Sequence, residues 1–119
     1  MNRIELKNYI EEVYGITPDC PWAESPGHEV FRHRVSRKWF GLILSVRRSF
    51  FGLEGDEKID VVNLKCDPVI IGSAKMNRGV FPAYHMNKAN WISVALDGTA
   101  DDEMIKTLLS MSYDITMKR

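Results

Sequence analysis

The sequence predicts an α+β domain in which helices pack on one face of an antiparallel sheet. Three observations lead to this prediction. Apolar residues recur at helical spacing near both ends of the chain, segments rich in strand-forming residues lie between those ends, and the connections are short. The predicted order of elements is α-β(3)-α-β(2)-α. Residues 1–119 are predicted to form a single domain.

The first helix is predicted over residues 3–14. Leu6, Ile10, Val13 and Tyr14 recur at helical spacing on one side of this segment, and polar residues occupy the other side. Gly15 suits the position after a helix end, because glycine adopts the left-handed conformation without strain. Prolines and glycine over residues 17–27 then indicate an irregular crossing.

Two strands are predicted over residues 30–35 and 39–46, joined by a tight turn near residues 36–38. With a two-residue turn, Arg34 would lie opposite Trp39 and Arg32 opposite Gly41. Alternation then predicts one core face, made of Phe31, His33, Val35, Phe40, Leu42, Leu44 and Val46. The opposite face would hold Arg32, Arg34, Trp39, Ile43, Ser45 and Arg47, and we expect it to be open to a partner.

The remaining elements follow in order. They are a strand over 58–65, a helix from Asp67-Pro68 to about residue 76, a short strand near 80–81, a strand over 91–96 and a last helix. Thr99 and Asp102 resemble a capping box for that last helix. Its buried stripe is predicted to contain Leu108 and Leu109.

Composition limits the functional class. The chain is 45% hydrophobic and 27% charged, as is usual for a globular domain. No apolar run reaches the ~18 residues that span a bilayer, and the N-terminus has no signal-peptide core, so we expect a cytoplasmic protein without membrane contact. Cys20 and Cys66 are expected to be reduced, because neither forms a CxxC pair.

Charge is distributed unevenly. The net charge is zero, from 16 basic and 16 acidic residues, which argues against purely electrostatic DNA binding. Yet one region is strongly basic and carries Arg32, Arg34, Arg37, Lys38, Arg47 and Arg48. These side chains could contact phosphates while Trp39 stacks on a base. The alternative is a solvated sheet face whose arginines pair with acids of neighbouring elements. A strand rise of ~3.3 Å per residue places Lys38 and Arg47 roughly 30 Å apart, which is a stripe rather than a patch.

A second candidate is the polar, aromatic loop that contains Tyr84, His85, Asn87, Lys88 and Trp91. It could form a ligand pocket, or Lys88 could reach a phosphate. The alternative is a structural loop, in which His85 and Asn87 satisfy buried backbone groups while Tyr84 and Trp91 pack on the sheet.

Catalytic and metal-binding roles find little support. Cys66 and His85 could form a nucleophile–base pair, but nothing indicates an orienting group or an oxyanion hole, so no catalytic residue is predicted. Cys66 is expected to point into the core. His28, His33 and His85 lack metal-ligand spacing, and His33 is expected to be a hydrogen-bonded core residue. No metal and no cofactor are predicted.

Several segments resemble the MmcQ/YjbR family over nearly the whole chain. They are Asn63-Leu64-Lys65-Cys66-Asp67-Pro68, Pro82-Ala83-Tyr84-His85-Met86-Asn87-Lys88 with Trp91, Leu96-Asp97-Gly98 and Ser112-Tyr113-Asp114. The resemblance implies a small bacterial cytoplasmic protein with the α-β(3)-α-β(2)-α arrangement, similar in shape to CyaY and to secretion chaperones. It also implies DNA as a partner, because family members are commonly labelled DNA-binding. Two alternatives stay open: a protein-interaction module akin to a secretion chaperone, and a small-ligand binder or enzyme centred on residues 84–88.

Overall fold

The computed structural model describes residues 1–117 and confirms the predicted order of elements. In chain order they are α1 (Arg3–Tyr14), β1 (Glu29–Arg32), β2 (Trp39–Arg47), a 3₁₀ turn (Arg48–Phe51), β3 (Lys58–Lys65), α2 (Ile71–Ala74), β4 (Val80–Pro82), β5 (Trp91–Ala95) and α3 (Asp102–Met117). The five strands form one antiparallel sheet in the order β1-β2-β3-β5-β4.

Helix α1 has both of its ends capped by local sequence. The Asn2 side chain accepts a hydrogen bond from the Glu5 amide at 2.9 Å, and the Glu5 carboxylate accepts one from the Asn2 amide at 2.9 Å. This capping box satisfies two backbone donors that the first turn leaves unpaired. Gly15 ends the helix with a φ of 68°, as predicted. Leu6 and Ile10 are fully buried, whereas Val13, predicted on the same apolar side, is exposed.

Both faces of the sheet carry an apolar cluster. On the helix-side face, α1, α2 and α3 contribute to a core that includes Phe31, Phe40, Ile43, Val62 and Leu64. The opposite face, here called the loop-side face, holds Val30, Leu42, Leu44, Val46, Ile59, Val61 and Ala95. Half-buried side chains cover that second cluster; they are Trp22, Trp39, Phe51, Leu53, Phe81 and Tyr84. The sheet face without helices is therefore already partly covered by aromatic rings.

The predicted pairing of β1 with β2 is wrong. Arg32 lies opposite Trp39 and Phe31 lies opposite Gly41, so Phe40 is an extra residue in β2. This β-bulge leaves Phe40 on the helix-side face, whereas Leu42, Leu44 and Val46 belong to the loop-side cluster. A one-residue slip moves every following side chain to the other face. The expected common face of Phe40, Leu42, Leu44 and Val46 therefore does not exist.

The β1–β2 connection spans residues 33–38 and is longer than the predicted two-residue turn. Backbone hydrogen bonds from the His33 amide to the Lys38 carbonyl (2.9 Å) and from the Arg37 amide to the His33 carbonyl (3.1 Å) close it. Arg37 takes the left-handed conformation, with a φ of 63°. Val35, predicted to be in the core, is 95% exposed at this turn.

Two helix starts also differ from prediction. The Asp67 carboxylate accepts a bond from the Val69 amide at 2.9 Å and forms a turn, so α2 begins only at Ile71. The cap of α3 is Asp101, which accepts from the Met104 amide at 3.1 Å. The predicted capping box is wrong, because Thr99 bonds to Asp97 instead. Within residues 1–117, no helix is long and apolar enough to cross a membrane.

Candidate functional site

The basic stripe is divided into two groups at opposite ends of β2. The first, here called the arginine group, consists of Arg32, Arg34 and Arg37 around Asp19. Arg32 Nε and an Arg37 Nη donate to the same oxygen, Asp19 Oδ2, at 2.9 and 3.1 Å. An Nη of Arg34 donates to the Gly15 carbonyl at the end of α1. The three guanidinium groups line a polar hollow of about 230 Å³.

Trp39 and Lys38 lie beside the arginine group. The Arg32 guanidinium sits 5.6 Å from the centre of the Trp39 ring, within the range of a cation–π contact. The Trp39 ring meets Trp22 edge-on at 5.7 Å. Trp39 is half-buried in the loop-side cluster, so much of its ring is already in contact with protein. Lys38 is exposed and lines a larger cavity, which it shares with Arg34.

That larger cavity measures about 590 Å³ and has an aromatic lining that includes Tyr14, His33 and Tyr113. The Tyr14 and Tyr113 rings lie 4.4 Å apart, and the His33 ring lies 4.5 Å from Tyr113. His33 is the buried core histidine that the sequence predicted: its Nε2 lies 2.7 Å from Thr116 Oγ1. Burial lowers the pKa of His33, which favours the neutral ring.

The second group, at the other end of β2, is the pair Arg47 and Lys58. These residues lie directly opposite each other on β2 and β3, and both are exposed. They line a hollow of about 300 Å³ together with Phe50 and Tyr84. The Phe50 and Tyr84 rings pack edge to face at 4.5 Å. Lys58 escaped the sequence prediction, because only the strand pairing brings it to Arg47.

Arg48 has a structural environment. Its Nε donates to the Glu54 carbonyl at 2.7 Å, and its guanidinium lies 3.6 Å from the Glu57 carboxylate and 3.9 Å from that of Asp97. These contacts hold the loop after β2. Arg48 is thereby neutralised by neighbouring acids, which is the alternative that the sequence left open for the basic face.

The loop over residues 84–88 is anchored by a buried polar network of β3 and β5. Asn63 Nδ2 donates to the Tyr84 carbonyl at 2.8 Å, Ser93 Oγ donates to Asn63 Oδ1 at 2.5 Å, and the Tyr84 amide donates to Ser93 Oγ at 3.0 Å. Asn63 and Ser93 are fully buried and lie opposite each other in the sheet. The sequence named Asn63 only through the family motif and missed Ser93.

His85 and Asn87 do not satisfy buried backbone groups, so that prediction is wrong. His85 is exposed, with a φ of 58°, and its ring lies 4.1 Å from Tyr84. Asn87 caps its own turn by accepting from the exposed Ala89 amide at 2.8 Å. Lys88 is exposed on the same turn. The buried backbone groups are satisfied instead from β3 and β5, which the loop's own sequence could not indicate.

The other motif residues tie the sheet to α3. Trp91 is half-buried at the start of β5 and lies opposite Lys65, the last residue of β3. The Lys65 amide donates to Ser112 Oγ at 2.9 Å, and that hydroxyl donates to the Phe40 carbonyl at 2.7 Å. Ser112 is fully buried. The Ser112-Tyr113-Asp114 segment therefore has a structural role in holding α3 on β2 and β3.

Cys66 and His85 lie in different parts of the molecule. Cys66 is buried in the helix-side core, where burial raises the pKa of its thiol. The Tyr84 loop belongs to the loop-side face, so the sheet separates Cys66 from this loop. Within residues 1–117, no group of three or more His, Cys, Asp or Glu side chains could hold a metal ion.

The fold and these surfaces define a small α+β domain with a single antiparallel sheet and two separate positive surface groups. The family model described as YjbR matches residues 11–115. The chain belongs to the YjbR family, as the motifs predicted.

Relatives share the sequence and the fold. The chain is 36% identical to "Uncharacterized protein YyaQ" of Bacillus subtilis (strain 168), over 98% of each chain. It is 31% identical to "Uncharacterized protein YjbR" of Escherichia coli (strain K12), over 74% of each chain. A crystal structure of a Pseudomonas syringae protein matches with a TM-score of 0.94 and 38% identity, covering 98% of this chain and 99% of that one.

Proposed function

We propose that this chain is a non-enzymatic binding protein that holds single-stranded nucleic acid at the Arg47 end of β2. The observation that carries this proposal is the pair Arg47 and Lys58 beside the exposed ring of Phe50. Like charges directly opposite each other on antiparallel strands repel. Within residues 1–117, neither cation makes a side-chain hydrogen bond or an ion pair. An anion seated between them would relieve the repulsion.

The aromatic residues of this hollow suit a nucleobase. The Phe50 side chain is 49% exposed, and Tyr84 supports it edge to face. A base stacked on Phe50 would bring its flanking phosphates near Arg47 and Lys58, and stacking of this kind tolerates any base. Lys88 is exposed four residues after Tyr84 on the same loop and is the nearest cation in sequence to this hollow's Tyr84. The DNA-binding label that the family resemblance implies agrees with this chemistry.

The arginine group is less suited to a nucleic-acid backbone. Asp19 already neutralises part of the charge of Arg32 and Arg37, and Arg34 is held by the end of α1. Exposed ion pairs are weak, but a phosphate must displace or share them. We therefore assign the main phosphate contact to Arg47 and Lys58, with Lys88 as a third contact.

Fluorescence anisotropy with a labelled oligothymidine and a labelled duplex tests the proposal. Arg47→Gln with Lys58→Gln should weaken binding of the single strand about tenfold at 50 mM salt. It should also reduce the slope of log K against log salt by about 1.4, since each single-strand phosphate contact contributes about 0.7. Phe50→Ala should cost about 1–3 kcal/mol without changing the slope.

The matched control is Lys75→Gln with Arg78→Gln, which removes two exposed positive charges that do not line this hollow. If the control variant weakens single-strand binding equally, the effect arises from net charge alone and the proposed site is rejected. Absence of single-strand binding at 50 mM salt would reject nucleic acid as the partner.

A protein partner is the second candidate, and the exposed Phe50 favours it as well. Phe51 stacks on Phe81 at 4.6 Å, so the loop offers a rigid apolar surface similar to those of protein interfaces. Binding through this surface should change little between 50 and 200 mM salt, whereas binding of nucleic acid should weaken. A catalytic centre on residues 84–88 has no comparable support, because His85 is exposed and Cys66 lies on the other face of the sheet.

A further inference from the structure

The polar hollow of the arginine group lies next to the aromatic cavity, and the two spaces share lining residues. The polar hollow of about 230 Å³ and the cavity of about 590 Å³ share Ile16 and Arg34. Three structural elements build the cavity: the end of α1, the β1–β2 connection and the end of α3. Together the two spaces fall within the size range of small-molecule sites, which is about 300–1,000 Å³.

The polar hollow keeps an excess of positive charge although Asp19 neutralises part of it. Arg32, Arg34 and Arg37 line the hollow, and Asp19 is the one acid among the described residues that line it. Each guanidinium has five N–H donors. Within residues 1–117, these three side chains each use one nitrogen in a hydrogen bond, and two of the bonds share one Asp19 oxygen. Further donors are therefore left for an anion with several acceptor oxygens, and arginine matches phosphate in particular.

The conformation of Arg37 supports a specific role for its side chain. Arg37 has a φ of 63°, a left-handed conformation that costs energy for a residue other than glycine, asparagine or aspartate. Its side chain is 60% exposed, and its bond to Asp19 is an exposed ion pair, which contributes little to stability. The strained backbone thus places a guanidinium at the hollow, although the ion pair it makes there adds little to the stability of the fold.

The aromatic cavity suits an apolar, planar group. Tyr14, Tyr113 and His33 present rings, and the exposed apolar side chains of Val35 and Met117 complete the lining. Among residues 1–117, no carboxylate lines this cavity. A ring placed among these side chains would gain aromatic contacts, and Arg34 lies where that ring would meet the polar hollow.

We propose that the arginine group and the aromatic cavity form one site for a small phosphate monoester carried on a planar aromatic body. The phosphate binds among Arg32, Arg34 and Arg37, and the ring system lies in the cavity against the rings of Tyr14 and Tyr113. The site lies at the opposite end of β2 from Phe50, so it does not depend on the proposed function.

Titration of ¹⁵N-labelled protein with three probes tests this site. The probes are 1-naphthyl phosphate, inorganic phosphate and 1-naphthol. 1-Naphthyl phosphate should bind saturably with a Kd of about 1 mM or tighter, and about tenfold tighter than inorganic phosphate or 1-naphthol. Its binding should shift the amide signals of Gly15, Arg37 and Tyr113 together. No saturable shift, shifts confined to other residues, or equal affinity for inorganic phosphate would overturn the proposal.

Arg37→Asn is the decisive variant, because asparagine tolerates the left-handed conformation and the exposed position. The substitution should weaken the binding of 1-naphthyl phosphate about tenfold, as expected for loss of a charge-assisted hydrogen bond. The affinity for 1-naphthol should be unchanged. Lys75→Asn is the matched control, since it removes one exposed charge outside both linings. Unchanged affinity of the Arg37→Asn protein, or equal loss in the control, would contradict the assignment.

Discussion

The buried network of Asn63 and Ser93 is the feature whose removal we expect to affect the molecule most sharply. Asn63→Ala deletes the donor to the Tyr84 carbonyl and the acceptor of the Ser93 hydroxyl. Both groups stay in the protein, and water does not reach Asn63, which has 0% exposure. The substitution therefore leaves unsatisfied polar groups rather than merely removing a contact.

The cost can be worked out from these two groups. Each buried polar group without a partner costs about 1–3 kcal/mol, and the Tyr84 carbonyl lies at the lower end because this residue is half-buried. We expect Asn63→Ala to reduce the free energy of unfolding by about 3 kcal/mol. An unfolding entropy of about 2.1 cal/mol/K per residue, over 119 residues, converts this loss to a fall in Tm of about 12 °C.

Urea denaturation followed by circular dichroism measures this loss, and Asn87→Ala is the matched control. Asn87 also accepts a bond from a backbone amide, but at an exposed turn, so we expect its loss to cost only about 0.5 kcal/mol. Ser93→Ala should cost about 2 kcal/mol, and the double variant Asn63→Ala with Ser93→Ala should cost less than the sum. The reasoning is refuted if Asn63→Ala and Asn87→Ala destabilise the protein equally, or if the double variant is additive.

Three other predictions concern single groups. Hydrogen bonds from Arg3 on α1 lower the pKa of Asp60. The contribution of Asp60 to stability is therefore present above about pH 4 and is lost as the pH falls through the lowered pKa. Asp60→Asn should abolish that part of the pH dependence of the free energy of unfolding measured in urea titrations. Iodoacetamide at neutral pH should label exposed Cys20 and spare Cys66, whose thiol is buried with a raised pKa; mass spectrometry showing equal rates would contradict this. Gly79→Ala should destabilise the fold by about 1–3 kcal/mol, because φ is 81° and the new Cβ would lie 2.8 Å from the nearest side-chain carbon; an unchanged urea midpoint would be evidence against the strain.

Local patterns predicted those elements whose own residues determine their structure. The bounds of α1 follow from its apolar spacing and from Gly15, and β3 begins and ends where its strand-forming residues do. The core position of His33 was also predicted, from its alternation with Phe31, although the same alternation placed the exposed Val35 in the core. In each case the information lies within about ten consecutive residues, which is the range over which periodicity can be measured.

Long-range pairing set the features that the sequence did not predict. Phe40 fits the alternation of a regular strand, and its neighbours do not indicate the β-bulge. That bulge moves the following side chains of β2 to the opposite face of the sheet. The meeting of Arg47 with Lys58 depends on the same pairing. Asp19 lies in an irregular segment, so its position between Arg32 and Arg37 had no local signal. The candidate surfaces therefore required the structure, although most of their basic residues were recognised in the sequence.

The length of β2 allows the two proposed sites to be distinguished. Trp39, which pairs with Arg32, and Arg47 are eight residues apart, which corresponds to about 26 Å along a strand. A small phosphate monoester cannot contact both ends, whereas an extended nucleic-acid strand can. Independent sites predict that saturating 1-naphthyl phosphate leaves the affinity for oligothymidine unchanged, and that Arg37→Asn and Arg47→Gln have additive effects on each ligand. Competition between the two ligands would instead mean that one polymer covers both groups, and the arginine group would then belong to the nucleic-acid surface.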